Sequence, residues 1–259
     1  MSLQESFSKP WFGFDLDDTL HEFRRASTFA SDQVFQAIHA AQNHLSIDAL
    51  RDSYRVILRN ATANAFTDGR TSTEYRRERF DRLLQTHGIT DSLLLEHLLD
   101  VYHDSLRASL TLKDGALQLL QTLHRQGKKV IVITEGPADA QEWTIRELGI
   151  QPYIDVLVTT NEIGRSKVDG LFSAVLKKYN IATEDIIYFG DNQVRDVEAA
   201  HVEGILAVLY DTTGSTDLED KNALRVNSWA TVGDILVRGD HQEISTLTHG
   251  NAEITKKCK

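Results

Sequence analysis

One stretch of the sequence reads Trp11-Phe12-Gly13-Phe14-Asp15-Leu16-Asp17-Asp18-Thr19-Leu20, a short apolar run followed by three carboxylates and a hydroxyl. The run is too short to span a membrane and has the length of a buried β-strand. Ligands of open α/β sheets bind where such strands end, which is where these carboxylates are expected. Alternate residues of an extended chain point the same way, so Asp15 and Asp17 are expected to face one small volume. Such a pair indicates a metal site or a nucleophile with an acid/base partner, and helix capping is the alternative.

The pattern changes directly after this stretch, because the apolar residues that follow recur at helical spacing. This spacing predicts four amphipathic helices joined by short connections. Ser46 and Thr90 are candidate N-caps, and Thr71 with Glu74 forms a capping-box pattern. We therefore expect a compact helical cap over 23–109, inserted after the first strand.

Two groups of side chains in this predicted cap carry separate expectations. A basic cluster on the third helix contains Arg76, Arg77 and Arg79. Because surface arginines need no special role, we predict a solvated face there rather than a phosphate-binding site. Three residues next to the predicted sheet are candidates for contact with a substrate, or else for hinge or packing roles: Phe23, Arg24 and Arg25.

Beyond residue 110, short segments rich in β-branched residues alternate with amphipathic segments. The strands predicted after the first are 130–134, 156–159, 186–189 and 206–209. Alternation of strands and helices is typical of a parallel sheet with helices on both faces. We therefore predict an α/β protein with a doubly wound parallel sheet, whose core comprises 1–22 and 110–237. The last segment, 238–259, is a polar tail to which we assign no role.

The composition limits the classes of function. The chain has 259 residues, of which 41% are hydrophobic and 25% charged, as expected for a folded protein with a sizeable core. The net charge of -10 argues against a nucleic-acid partner. An acidic protein that acts on an anion needs a local positive site, built from a metal, a lysine or helix N-termini.

Cysteine usage and apolar segments indicate the compartment. The single cysteine, Cys258, has no partner for an internal disulfide, which fits a reducing compartment. The first residues lack the basic and apolar regions of a secretion signal, and no segment has the apolar length of a membrane span. We expect a soluble, cytoplasmic protein without a membrane partner, and the sequence does not indicate an oligomeric state.

Four groups of residues match, in order, the motifs of one protein superfamily. They are Asp15-Leu16-Asp17-Asp18-Thr19, Thr134 at the end of the second strand, Lys167 within Arg165-Ser166-Lys167-Val168-Asp169-Gly170, and Gly190-Asp191 followed by Asp196. Each motif alone is weak, but their order and their positions near strand ends make the set specific. From about residue 12 to residue 209, the chain resembles the haloacid dehalogenase-like (HAD) hydrolase superfamily, in particular its phosphatase branch with a helical cap inserted after the first motif (subfamily I type).

The resemblance implies a Rossmann-like core and a Mg²⁺-dependent phosphomonoesterase that acts on a small phosphorylated metabolite. Asp15 would be the nucleophile that forms an aspartyl-phosphate, and it would also bind Mg²⁺. Asp17 would act as general acid and base, and its backbone carbonyl would bind the metal. Asp191 would supply a further carboxylate to Mg²⁺, and Asp196 would support the metal site or the lysine.

The resemblance also assigns a phosphate-binding set. Thr134 and the backbone amides of Glu135 and Gly136 would bind phosphoryl oxygens at a helix start. Lys167 would be catalytic and substrate-binding, because its positive charge opposes the charge of the phosphate and of the transition state.

Two positions depart from the family pattern. Val168 follows the lysine where proline is frequent, which puts the loop geometry in doubt more than the activity. Asp18 stands where glycine is frequent in the first motif.

Three other functions remain open on the same fold. A phosphoglucomutase-like phosphotransferase would use the same motifs with a cap that excludes water, and product analysis would distinguish it. Carbon–halogen cleavage needs no metal and no second aspartate, so Asp17 argues against it. A non-catalytic binding protein is the last alternative. The fold does not choose among sugar phosphates, nucleotides, phosphoglycolate or other esters.

Overall fold

The computed structural model describes residues 7–61, 66–212 and 224–237, and the predicted tail at 238–259 lies outside them. Within these residues one sheet contains six strands, all parallel, in the order β3-β2-β1-β4-β5-β6. The strands are β1 Trp11–Phe14, β2 Lys129–Thr134, β3 Val156–Thr159, β4 Ile186–Gly190, β5 Leu206–Tyr210 and β6 Arg225–Val226. The predicted α/β fold with a doubly wound parallel sheet is confirmed.

Helices account for most of the remaining described chain. The α-helices are α1 Phe23–Ala41, α2 Ile47–Ala61, α3 Ser72–Thr86, α4 Ser92–Ser109, α5 Ala116–Arg125, α6 Ala138–Glu147, α7 Thr160–Ile163, α8 Leu171–Tyr179, α9 Ala199–Val202 and α10 229–237. Short 3₁₀ turns cover Gln151–Tyr153, Lys167–Asp169 and Thr183–Asp185, and a π-helical turn covers Gln193–Glu198. No helix of the described chain combines the length and apolar character needed to cross a bilayer.

The central strand β1 is buried on both faces, as its nearly continuous apolar run requires. Phe12 and Phe14 pack with residues of α5, α6 and α10 on one face of the sheet. The opposite face carries a second cluster that includes Tyr188 and the apolar side of α8. Gly13 faces that side, and a Cβ there would lie 2.8 Å from the ring of Tyr188. Glycine therefore lets β1 and β4 sit side by side at the centre of the sheet.

Helices α1 to α4 share a third apolar cluster. Its centre is a row of aromatic rings, because Tyr54 packs against Phe35 and Phe80, and Phe80 against Tyr102. This agrees with the four predicted amphipathic helices, but the boundaries of the cap at residues 23 and 109 stay a prediction.

Two of the three predicted helix caps are present in the structure. The Ser46 hydroxyl accepts a hydrogen bond from the Ala49 amide at 3.2 Å, and the capping box between Thr71 and Glu74 is formed. The predicted Thr90 cap is wrong. Asp91 caps α4 instead, because the helix begins at Ser92, and one carboxylate oxygen of Asp91 accepts from two backbone amides of the first turn.

Two elements differ from the sequence-based expectation. The sheet continues beyond β5 to the two-residue strand β6, which is too short to produce a periodic signal. The helix predicted after β4 begins with the π-helical turn before α9. On α10, the Trp229 indole donates to the backbone oxygen of Thr19 at 3.0 Å, which ties the last described helix to the loop after β1.

Candidate active site

Asp15 follows β1 and is buried beside Lys167. The Lys167 ammonium lies 2.5 Å from Oδ1 of Asp15 and 2.6 Å from Oδ1 of Asp196. The other Asp15 oxygen accepts from the Thr19 hydroxyl at 3.3 Å. The backbone amide of Asp15 donates to Phe189 of β4 at 2.8 Å, so sheet hydrogen bonding fixes the start of the loop. Residues far apart in sequence thus meet at the carboxyl ends of β1 and β4.

The charges of this cluster control one another. Burial alone would lower the pKa of Lys167, but the charges of Asp15 and Asp196 outweigh it and hold that pKa above its usual range. Burial raises the pKa of Asp15, and the Lys167 ammonium opposes this rise. Lys167 therefore remains an ammonium ion between two carboxyl groups.

Asp196 is held from the other side. Its second oxygen accepts from the Asn192 amide at 3.0 Å, and the Tyr188 hydroxyl lies 3.2 Å from its first. The π-helical turn carries this residue, and Asn192 caps the turn. A Cβ at Gly190 would overlap the carboxyl group of Asp196, so only glycine leaves room for it at the end of β4.

Three carboxyl groups could share one cation. Oxygens of Asp15, Asp191 and Asp196 lie within 4.8 Å of one another. Burial raises the pKa of Asp191, and the guanidinium of Arg24, 2.8 Å away, opposes the rise. All three donors are carboxylate oxygens, which are the ligands that Mg²⁺ takes in proteins. These three residues therefore fit the predicted Mg²⁺. The resemblance assigned the carboxylates of Asp15 and Asp191 to the metal, and the Asp196 carboxyl group lies beside them.

The Asp17 side chain points to different partners. The buried His21 ring places Nε2 2.9 Å from one Asp17 oxygen, and Gln141 Nε2 lies 3.4 Å from the other. A Cβ at Gly136 would come to 2.5 Å from the same Gln141 nitrogen. Sequence analysis missed His21 and Gln141; the spacing of four residues between Asp17 and His21 was the one available signal.

The predicted phosphate-binding residues lie at the end of β2. The Thr134 hydroxyl is fully buried and has no hydrogen-bond partner among the residues described. The Glu135 side chain accepts from the Lys167 amide at 2.9 Å and pairs with Arg195 at 2.7 Å. The Gly136 amide donates to the Thr160 hydroxyl at 3.1 Å, so a phosphoryl oxygen would have to replace that hydroxyl.

These groups line a cavity of about 570 Å³ that extends to side chains of α1, α2, α3 and α4. Phe23 and Arg24 are among the lining residues, whereas Arg25 is exposed and does not line the cavity. Arg24 also bonds to Asp18, through its amide at 3.0 Å and its guanidinium at 3.1 Å. Asp18 has φ of 62°, a left-handed conformation that explains why glycine is frequent at this position.

The basic cluster of α3 divides between solvent and the cavity. Arg77 is exposed and pairs with Glu96 at 2.8 Å, as predicted for a solvated face. For Arg76 and Arg79 that prediction is wrong, because both line the cavity. The apolar cluster of α1 to α4 turns this side of α3 inward rather than toward solvent.

Known proteins show the same fold and related sequences. The chain is 24% identical over 208 residues to the glyceraldehyde 3-phosphate phosphatase of Methanocaldococcus jannaschii, covering 80% of this chain and 87% of the relative. It is 22% identical over 209 residues to the ribulose-1,5-bisphosphate 5-phosphatase of Halopiger xanaduensis, covering 79% and 85%. A Bacillus subtilis protein described as a HAD-hydrolase bound to magnesium matches with a TM-score of 0.67 at 20% identity, covering 88% of this chain and 98% of that one. At that identity the structural match shows the fold alone.

A family model gives the assignment. It describes haloacid dehalogenase-like hydrolases and matches residues 11–204, which is more than half of the chain and includes every motif residue quoted above. The resemblance noted from the four motifs and the expectation of an enzyme of this superfamily are therefore confirmed. The chain belongs to the haloacid dehalogenase-like hydrolase family.

Proposed function

We propose that the protein is a Mg²⁺-dependent phosphomonoesterase that hydrolyses a small phosphorylated metabolite through an aspartyl-phosphate. The observation that carries this proposal is the buried Asp15 carboxyl group, bonded to Lys167 and within 4.8 Å of two further carboxyl groups. The phosphatase names of two sequence relatives support the same reaction class.

The phosphoryl group would bind between the ends of β1 and β2. The buried Thr134 hydroxyl is available to donate to one oxygen. The amides of Glu135 and Gly136 would bind others, with the substrate replacing Thr160 as acceptor for Gly136. Lys167, already held beside Asp15, would neutralise charge on the phosphoryl oxygens as the transition state forms.

Two displacements complete the reaction. A carboxylate oxygen of Asp15 attacks phosphorus, the ester P–O bond breaks, and Asp17 gives a proton to the leaving alkoxide. Asp17 then takes a proton from a water molecule that attacks phosphorus, which releases phosphate and restores Asp15. The contacts of His21 and Gln141 to Asp17 keep its carboxyl group oriented for both transfers.

The metal would be held by the carboxylates of Asp15 and Asp191 and the backbone carbonyl of Asp17, with Asp196 in support. When bound, Mg²⁺ supplies positive charge next to the transferring phosphoryl group. Asp196 already pairs with Lys167, so its main part is to keep that lysine in place.

The test is Asp15→Asn, with phosphate release measured on a panel of phosphate esters in the presence of Mg²⁺. We expect a loss of at least about a thousandfold in kcat with unchanged circular dichroism, because the amide is a poor nucleophile. Asp100→Asn, on the exposed side of α4, is the matched control and should retain activity. Phosphatase activity that survives Asp15→Asn would refute the nucleophile assignment.

Product and metal analysis separate the alternatives. Free phosphate and alcohol in equal amounts support hydrolysis, whereas an isomerised sugar phosphate would indicate a phosphotransferase. Activity that survives EDTA would favour the metal-independent dehalogenase reaction. A protein that binds Mg²⁺ but turns over none of the esters would be a binding protein on this fold.

A further inference from the structure

Two arginines of the cavity wall differ from its other cations. Arg76 and Arg79 lie one turn apart on α3, and neither forms a salt bridge with any residue that the structure describes. The other cations of the cavity wall are each within salt-bridge distance of a carboxylate: Arg24, Arg51, Arg55, Lys167 and Arg195. The α3 side of the cavity therefore carries positive charge that no described carboxylate neutralises through a salt bridge.

The surroundings of Arg76 compensate its charge only in part. The guanidinium stacks over the Tyr102 ring at 5.1 Å from the ring centre, and it is only partly exposed. Burial lowers the pKa of Arg76 and Arg79 lowers it further, whereas Tyr102 and Asp139 oppose this fall. Arg79 donates through Nε to the Tyr75 carbonyl at 3.0 Å, which orients its guanidinium. Like charges three residues apart on a helix repel each other, so this arrangement costs stability without a ligand.

The first turn of α3 is fixed against the core. Asp139 of α6 accepts from the Ser72 amide at 2.9 Å and from the Ser72 hydroxyl at 2.7 Å. Asp139 also acts electrostatically on Arg76, although it forms no salt bridge with it among the described residues. The bonds between Ser72 and Asp139 also fix the first turn of α3 relative to α6. Arg76, which follows this turn, therefore has a defined position in the cavity wall.

A partly buried cation without a partner is unfavourable unless something binds it. An anion is the complementary ligand, and arginine forks suit both carboxylate and phosphate oxygens. The cavity of about 570 Å³ also has the size of pockets that enclose a whole small metabolite.

We propose that Arg76 and Arg79 form a second anion-binding subsite, so that the substrate carries a carboxylate or phosphate group remote from the phosphoryl group that is hydrolysed. This rests on the proposed phosphatase function and narrows its substrate class to small phosphate esters with two anionic ends. The phosphoryl end would bind at Asp15 and Lys167, and the other end at α3.

The test compares pairs of esters that differ in the second anion. Phosphoglycolate is paired with glycolaldehyde phosphate, and fructose 1,6-bisphosphate with fructose 1-phosphate; p-nitrophenyl phosphate reports basal hydrolysis. We expect the protein to favour the member with the second anion by about tenfold or more in kcat/KM in at least one pair. The pair that responds tells whether the group is a carboxylate or a phosphate.

Arg76→Gln and Arg79→Gln should each lower the ratio of kcat/KM between the two members of the responding pair to about one, with hydrolysis of p-nitrophenyl phosphate by the same variant as the reference. Arg77→Gln is the matched control, because Arg77 lies on the same helix but faces solvent. If Arg76→Gln does not fold, as judged by circular dichroism, Arg79→Gln carries the comparison.

The outcomes separate the two proposals. Hydrolysis of esters with no preference in either pair, or a preference that both variants retain, would overturn the subsite and leave the phosphatase intact. Absence of all turnover with Mg²⁺ would count against the phosphatase. In that case calorimetric titration of the Asp15→Asn protein with the same pairs still tests the subsite. Tighter binding of the second-anion member, lost in Arg76→Gln, would support it, and equal binding would refute it.

Discussion

The two ends of the cavity differ in whether their charged side chains are paired. At the sheet, Lys167 contacts two carboxyl groups, and Asp196, Tyr188 and Asn192 extend the network. At α3, Arg76 and Arg79 have no carboxylate partner within the described chain. A network that is complete before the substrate arrives needs little reorganisation during the reaction, whereas an incomplete one is completed by the ligand. We infer that the sheet end serves the chemistry and that the α3 end selects the substrate.

The largest effect, on both stability and kcat, is expected from removing Lys167 at the sheet end. Lys167→Met would leave Asp15 and Asp196 buried without a counter-charge, which costs about 3–5 kcal/mol of unfolding free energy. We also expect a hundredfold or greater loss of kcat, roughly the effect of removing one electrostatic donor. Urea unfolding and phosphate release measure the two effects.

The loss of stability should depend on pH. Without Lys167 nothing would oppose the effect of burial on the pKa of Asp15, which would lie still further above its unfolded value, so stability falls as pH rises through that window and recovers in acid. Lys178→Met is the control, because Lys178 forms an exposed pair with Glu162 that contributes little. Equal loss in both variants, or a loss independent of pH, would contradict the assigned role of the sheet-end network.

Mg²⁺ binding should respond to pH by a smaller factor. Burial raises the pKa of Asp191 and raises that of Asp15 to about 8, so the metal-free protein keeps a proton on Asp15 that Mg²⁺ must displace. We expect the affinity to rise from about pH 6 to about pH 8, with proton release on binding. Calorimetry in buffers of different ionisation enthalpy measures both. Affinity that does not change with pH would show that these carboxyl groups do not bind the metal.

The smallest effect is expected at Asp18, in the loop between β1 and α1. Asp18→Gly relieves the left-handed strain at φ of 62° but removes the bonds to Arg24, and each contribution is about 1 kcal/mol. The change in unfolding free energy should therefore stay within about 1 kcal/mol of zero. Asn180→Gly, also left-handed at φ of 53°, tests the strain without the charge. A loss of several kcal/mol in Asp18→Gly would mean that Arg24 contributes much more than a half-exposed ion pair does.

The residues of the sheet end could be predicted from the sequence better than those of the α3 end, for a physical reason. Buried parallel strands are continuous apolar runs, so the polar residues at their ends are easy to locate in the sequence. Asp15, Thr134 and Asp191 lie at such ends. Strand β6 is two residues long and follows a segment without apolar pattern, so no periodicity could reveal it. The π-helical turn that holds Asp196 depends on contacts with Asn192 and Gly190, which no local propensity encodes.

The α3 end was predicted wrongly, because the same polar residue types face solvent and line a polar cavity. Arg76, Arg77 and Arg79 share one helix and one chemistry, and only packing decides which of them faces inward. His21 and Gln141 were missed for a related reason, since each acts on Asp17 through a contact made by the folded chain. Helical periodicity predicts which side of a helix is apolar, but not which polar side chains line a cavity.

The contact between Ser72 and Asp139 also bears on how the cavity opens. Strands β2 and β4 flank β1 on opposite sides. Helices α1 to α4 contact the core near both: Ser72 bonds to Asp139 of α6, which follows β2, and Arg24 pairs with Asp191, which follows β4. The first attachment uses several short bonds, while the second is one exposed ion pair to a proposed metal ligand. A carboxylate that binds a cation attracts a guanidinium less strongly, so metal loading would loosen the second attachment alone. Arg24 lies beside both chain connections of helices α1 to α4 to the core, at residues 20–23 and 111–113, so these helices stay joined to the core there whatever happens to the ion pair. Opening of the cavity is therefore expected to require that the bonds between Ser72 and Asp139 break.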